Sequence, residues 1–259
     1  MLVYIPSINR ASEQPTLLSI PPEYEITLVV PEQQVTQYVR EWRPAGKVKV
    51  LGHPNRLSNI GQVRHFILEH AYPHKVLMLD DDLVFFRRRQ DEPDKFTPAF
   101  DVDIRLMLAD CEDQLSRHAH IAVATREGGN RFTENYNENT RGLRVLGYDT
   151  TTLRDEEIVF ERLPVMEDFD VTLQLLRKGY SNLIINWIVH NQAHGSGASG
   201  GCSTYRDLNL QAECAHRLKA LHPDFVTVVE KTTKTAWGGN ATRTDVRIQW
   251  KKAYESSRA

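Results

Sequence analysis

Cysteine is scarce in this sequence. Cys111, Cys202 and Cys214 are three among 259 residues, an odd number with no C-x-x-C pair. That excludes a disulfide framework and a zinc site built on paired thiolates, and it suits a reducing compartment. Long apolar runs are missing too: no stretch of about 18 apolar residues exists to span a bilayer. The opening MLVYIPSINR has no basic leader followed by an apolar run. A cytoplasmic protein without a membrane partner is the expectation. There is no internal repeat and no long low-complexity stretch. Net charge is nearly absent, at −2, so the molecule as a whole is no general polyanion binder.

Charge is nevertheless uneven. From Lys231 to the end, seven basic side chains stand against Asp245 and Glu255, and Arg87-Arg88-Arg89 form a second basic cluster. The plain account is two solvated faces; the functional one is contact with phosphates of an anionic substrate.

Short apolar runs alternate with helical spacing, the pattern of an α/β sheet. Strands are expected at residues 2–5, 25–30, 47–51, 76–79, 121–125, 157–160, 183–190 and 225–229, the last followed by a basic tail. Helices are expected at 33–41, 57–71, 101–118, 168–178 and 208–221. Residues 126–144 are polar and rich in Gly, Asn, Thr and Arg, and read as a long loop of the kind that often carries binding groups. With no clean linker, one domain with two halves, 1–110 and 111–259, is the reading.

Asp80-Asp81-Asp82 follow the run KVLML. Adjacent carboxylates repel unless something positive neutralises them. If strand alternation continues, Asp80 and Asp82 face one way and Asp81 the other. Two same-side carboxylates at a strand end suit a hard divalent cation, Mn²⁺ or Mg²⁺. The bland alternative is an acidic turn. Glu167-Asp168-Phe169-Asp170 open a helix, where acids are favoured by the helix dipole; equally, one of them could take a proton from an acceptor hydroxyl. His190 ends NLIINWIVH and is either a buried structural histidine or a third metal ligand, with His194 close by. The loop GSGASGG, ending in Gly200 and Gly201, is a linker or a flap that closes over a ligand. Pro6, Ser7, Asn9 and Arg10 after the first strand, with Arg64 on the first amphipathic helix, suit a nucleotide.

The order of these pieces resembles the GT-A glycosyltransferase fold, an α/β, Rossmann-like, mixed and mostly parallel central sheet flanked by helices. IPSINR is similar to the family's nucleotide-binding start, VLMLDDD to its D-x-D motif, and VMEDFD to its x-E-D motif. RLPVMEDFDVTLQLLRKGYSN, GGCSTYRD and RTDVRIQWKKAY further resemble the glycosyltransferases associated with TET/JBP oxygenases, found in phages and some eukaryotes. The resemblance implies a UDP-sugar donor and a hydroxymethylated pyrimidine in DNA as acceptor, in the host bacterial cytoplasm if the chain is phage-encoded. It implies metal ligands Asp80, Asp82 and His190, and an acceptor base Asp168 beside Glu167. Pro6, Ser7, Asn9, Arg10, Arg64, Asp81, His194, Gly200 and Gly201 would then hold the nucleotide-sugar. Arg87, Arg88, Trp237, Arg243 and Lys251 would meet DNA, with Trp42, Trp237 or Trp250 stacking a base. Two rival classes are a sugar-nucleotide nucleotidyltransferase and a non-enzymatic nucleic-acid-binding module. Residues 7–15 lack the Gly-rich phosphate loop and Lys of the first, and the second gives no reason for three aspartates after a buried strand.

Overall fold

The computed structural model describes residues 1–42, 46–193, 201–232 and 242–258. The chain enters with β1 (Leu2–Pro6), α1 (Pro15–Ser19), β2 (Ile26–Pro31), α2 (Val35–Trp42), β3 (Val48–His53), α3 (Ile60–Ala71) and β4 (Lys75–Leu79). These β-branched and leucine-rich strands pair in parallel in the order β3-β2-β1-β4. Asn59 starts α3 by accepting the Gln62 N–H at 3.1 Å.

Next come β5 (Leu83–Arg88), β6 (Phe96–Pro98), α4 (Asp101–Gln114), β7 (His120–Thr125), β8 (Tyr136–Glu138), β9 (Val145–Asp149), α5 (Thr150–Asp155), α6 (Glu167–Arg177) and β10 (Asn182–Gln192). Together they complete a mixed ten-stranded sheet, β3-β2-β1-β4-β9-β7-β10-β5-β6, with β8 paired onto β10. Strand alternation divides the core. Ile5, Leu77 and Leu79 pack on one face with Met107, Leu108 and Cys111 of α4. Tyr4, Val76 and Met78 pack on the other with Ile67 and Leu68 of α3 and Val171 and Leu175 of α6. The sheet is thus covered on both sides by helices.

The last section is α7 (Leu208–Leu221), β11 (Val226–Thr232), β12 (Thr242–Ile248) and α8 (Trp250–Glu255). Here Cys214, Ala215 and Leu218 of α7 join Val226, Val246 and Ala253 in a third core, closed by Leu173 and Leu176 from the outer side of α6.

Four expectations need correction. Residues 157–160 are not a strand: Ile158 and Phe160 are buried, but this segment packs as a turn on α3, where a Cβ on Gly61 would lie 2.7 Å from the Phe160 carbonyl oxygen. The basic C-terminal stretch is no tail, because β12 pairs antiparallel with β11 from Val226–Ile248 to Thr232–Thr242 and α8 follows. Strands β5 and β9, unexpected from the sequence, sit inside the sheet. The helix expected to run to 118 ends at Gln114.

Candidate functional site

The sheet order places β9, β7 and β10 between β4 and β5. The short link Asp80-Asp81-Asp82 must therefore cross the ends of three strands. Its backbone is clipped from below. Thr16 Oγ1 donates to the Asp80 carbonyl at 2.6 Å and accepts the Leu83 N–H at 2.7 Å, the Asp80 N–H donates to the Arg144 carbonyl at 2.9 Å, and the Ala193 N–H donates to the Asp82 carbonyl at 2.7 Å. Because β4 stops at Leu79, strand alternation does not extend through the triplet. The expected division, Asp80 and Asp82 against Asp81, is replaced by another. Asp81 and Asp82 share Arg10, whose Nη1 lies 2.6 and 3.2 Å from their carboxylates, while Asp80 pairs with Arg64 at 3.0 Å.

The nucleotide-side candidates gather on Asp81. Ser7 Oγ donates to it at 2.5 Å and itself meets Tyr38 Oη at 2.8 Å and Gln14 Nε2 at 2.8 Å. Burial pushes the Asp81 carboxyl up to about 6 against the pull of Arg10. Pro6 closes β1 beside Val29. Asn9 turns away, exchanging hydrogen bonds with Gln34. Gly201, at φ +58°, lies in contact range of the Arg10 guanidinium, with 3.6 Å between a Cβ built there and Nη2. His194 and Gly200 lie outside the described residues.

Arg64 ties the triplet to the second acidic group. Its Nη1 donates to Glu167 at 2.5 Å while Nη2 holds Asp80. Burial alone would lower this guanidinium's pKa, but Glu167 and Asp80 outweigh that and raise it. Burial also raises Glu167, to about 7. Asp168, buried at the first turn of α6, accepts its neighbour Phe169's N–H at 2.9 Å, and Thr172 Oγ1 returns to the Asp168 carbonyl at 2.8 Å.

Asp82 also accepts from Gln192 Nε2 at 3.1 Å, and two residues back along β10 is His190, on the same face of the strand. Its Nε2 lies 3.0 Å from the Leu143 carbonyl, and burial drives its pKa down to about 3, so the ring is neutral. Two buried side-chain atoms of this region have no hydrogen-bond partner: Asp82 Oδ1 and His190 Nδ1.

The sequence matches the family model of the TET-Associated Glycosyltransferase over residues 1–201. The chain belongs to the TET-associated glycosyltransferase family. It is similar to the beta-glucosyl-HMC-alpha-glucosyl-transferases of Enterobacteria phages T6 and T2, 26% identical to each over 235 residues, covering 85% of this chain and 80% of theirs. In fold it is similar to S. aureus TarS 1–349 in complex with UDP, with TM-score 0.54 and 17% identity over 85% of this chain; it spans 65% of that TarS chain. The same TarS fragment in complex with UDP-GlcNAc gives TM-score 0.51, with 16% identity, 85% of this chain and 67% of the other. The fold is of the GT-A type, and the protein is a glycosyltransferase.

Several residues expected at the acceptor of this TET-associated glycosyltransferase are placed otherwise. Arg88 is buried and donates to the carbonyls of Asn186, Gly129 and Pro93, so it braces the sheet edge instead of facing solvent. Arg87, on the opposite face of β5, stays 42% exposed, 3.7 Å from Asp103. Arg243 pairs with Asp245 at 2.9 Å, and Lys251 is exposed on α8. Trp42 donates to the Ala11 carbonyl and Trp250 packs edge-on to Phe169, so neither is an open stacking platform. Trp237 lies outside the described residues. The sequence reading missed Thr16, Tyr38, Gln192 and Arg144. Only Gln192 left a signal, its two-residue spacing from His190.

Proposed function

We propose that this glycosyltransferase moves a sugar from a UDP-sugar to the hydroxyl of a hydroxymethylated pyrimidine in DNA, in a divalent-metal-dependent reaction. The observation that carries the reading is Arg64, one buried guanidinium bridging the carboxylates after β4 to those opening α6. It fixes a donor side (Ser7, Arg10 and Asp80–82, in residues 1–110) against an acceptor side (Glu167 and Asp168, in residues 111–259). The phage relatives, named for glucosyl transfer onto glucosylated HMC, support a DNA acceptor, and the UDP-bound TarS neighbours support the donor.

The donor set fits a hard cation. Asp82 Oδ1 and His190 Nδ1 are unpartnered, while among the described residues no three His, Cys, Asp or Glu side chains group as they would around a metal ion. A cation held by so few side chains would take its remaining oxygens from a diphosphate. Asp82 and His190 would hold it beside Asp80, and a bound cation supplies charge compensation on the departing diphosphate. Around it, Ser7 and Arg10 fix Asp81, and Arg64 fixes Asp80 and Glu167. Asp168 takes the acceptor proton if configuration inverts, and orients the acceptor hydroxyl if it is retained. Of the 195–201 loop expected to close over the ligand, only Gly201 lies among the described residues. Lys251 and Arg87 meet DNA phosphates, and an acceptor base inside a duplex is flipped out.

A second reading has support in the relatives' name: their acceptor is already β-glucosylated. The acceptor here would then be a saccharide hydroxyl carried on the DNA base. UDP release from UDP-sugars with Mn²⁺ tests both, with hydroxymethylated DNA, glucosylated hydroxymethylated DNA and unmodified DNA as acceptors. Stimulation by the first supports the proposal and by the second alone the alternative. Release indifferent to all three contradicts DNA as acceptor.

A further inference from the structure

The segment joining β8 to β9 carries an arginine that the mechanism above leaves without a role. Residues 141–144, Arg-Gly-Leu-Arg, are fixed against the sheet at three points. A Cβ on Gly142 would lie 2.6 Å from the Ala122 Cβ of β7, so the chain runs directly on that strand. The Leu143 carbonyl meets His190 Nε2 at 3.0 Å, and the Arg144 carbonyl accepts the Asp80 N–H at 2.9 Å. Arg144 is therefore locked beside the first aspartate of the triplet. It is held there at φ +61°, a left-handed conformation that is costly for a side chain of this size.

The two arginines of the donor side, both in residues 1–110, are engaged with carboxylates: Arg10 with Asp81 and Asp82, Arg64 with Asp80 and Glu167. Arg141 lies 4.9 Å over the Phe169 ring, on the acceptor side. Among the described residues, the Arg144 guanidinium has no hydrogen bond or ion pair, yet its charge acts on both Asp80 and His190. A strained, backbone-anchored, half-buried guanidinium next to a carboxylate cluster is a poor stabiliser of the fold and a good receptor for an incoming anion. Its planar fork matches two phosphate oxygens, and the diphosphate must sit against these same carboxylates.

We propose that Arg144 is a donor-binding residue whose guanidinium clamps the diphosphate of the nucleotide-sugar beside Asp80. The inference rests on the reading that the donor is a nucleoside-diphosphate sugar. Arg144→Gly tests it, because glycine relieves the positive φ and the variant should fold at least as stably as the parent. Calorimetric titration of the full chain in Mn²⁺ with UDP, uridine and inorganic pyrophosphate separates the parts of the ligand. The expected result is a loss of tenfold or more in affinity for UDP and pyrophosphate, with uridine binding unchanged. Arg144→Lys should recover part of the loss. Unaltered UDP and pyrophosphate affinity in Arg144→Gly overturns the proposal, as does an equal loss of uridine binding, which would mean a collapsed site. A parent chain that binds pyrophosphate but neither UDP nor uridine sinks the UDP reading alone, and the pyrophosphate titration of the variant then decides the role of Arg144. A parent chain that binds none of the three overturns both.

Discussion

Asp80, Asp81 and Asp82 are neighbours in sequence with different electrostatic partners. Asp80 faces Arg64, Asp81 is held by Ser7 and Arg10, and Asp82 is shared between Arg10 and Gln192 with one oxygen left open. Asp82→Asn keeps the shape and removes the open anionic oxygen. It should lower transfer at least about 100-fold, with the thermal unfolding midpoint moving by no more than a few degrees; steady-state transfer assays and calorimetry check the two parts. His190 gives a pH signature. Its folded pKa, pushed by burial to about 3, lies below the ordinary value near 6.5. The unfolded chain therefore takes up this proton first. The stability His190 confers is complete above about pH 6.5 and drains away as pH falls toward 3, with a slope of up to about 1.4 kcal/mol per pH unit. His190→Gln should flatten that acid limb in denaturation series run between those limits. At this scale the residue types were readable in the sequence and their partners were not. Arg64 meets Glu167 across 103 positions, and no local spacing encodes such a contact. The alternation rule failed at the triplet because β4 ends at Leu79, before the first of the three aspartates.

Helix α6 does two jobs. Its first turn presents Glu167 and Asp168 to the site, while Asp170 turns into the protein, fully buried, accepting from Arg162 Nε at 2.8 Å, His222 Nε2 at 2.8 Å and Gln174 Nε2 at 3.0 Å. His222 follows α7, so this carboxylate ties the acceptor-side helix to the C-terminal section. Asp170→Ala leaves Arg162 and His222 without it and should cost about 2–3 kcal/mol in chemical denaturation, at the low end for a buried pair because Arg162 keeps some solvent contact. Elements with a clean apolar period were legible: β1, β2, β4, β7, α3 and α7 fall within a residue or three of expectation. β5 was hidden by its own charge. LVFFRR reads as an apolar run breaking into a basic cluster, and only the packed structure shows Arg88 spending its donors on carbonyls. The opposite error at 157–160 has the opposite cause. An apolar run is buried there, but against Gly61 of α3 and not in a ladder.

Across the whole molecule, the family match ends at residue 201, while the chain continues into a further core built from α7, β11, β12 and α8 that closes on the outer side of α6. The basic excess of this section is partly neutralised internally, with Lys231 and Arg243 both on Asp245. Among the described residues from 231 onward, Arg247, Lys251, Lys252 and Arg258 stay exposed and available to phosphates. DNA affinity should therefore fall with salt, and Lys251→Ala should reduce the slope of log affinity against log salt by about one without changing base preference, as measured by fluorescence anisotropy. The mixed sheet and the GT-A plan were legible because motif order and strand ends survive in sequence. In the C-terminal section α7 and β11 were legible but β12 and α8 were not, since the strand TRTDVRI alternates charge with apolar groups and reads as a solvated tail. The central claim, transfer of a sugar onto a hydroxymethylated DNA base, is tested most directly by mass spectrometry of the nucleosides of hydroxymethylated DNA, after incubation with the enzyme, Mn²⁺ and a panel of UDP-sugars. The account predicts that one donor adds the mass of a single sugar to the hydroxymethylated nucleoside, and that Asp82→Asn abolishes the product. Unchanged nucleosides with every donor, alongside UDP release onto a free saccharide or a protein, would contradict it.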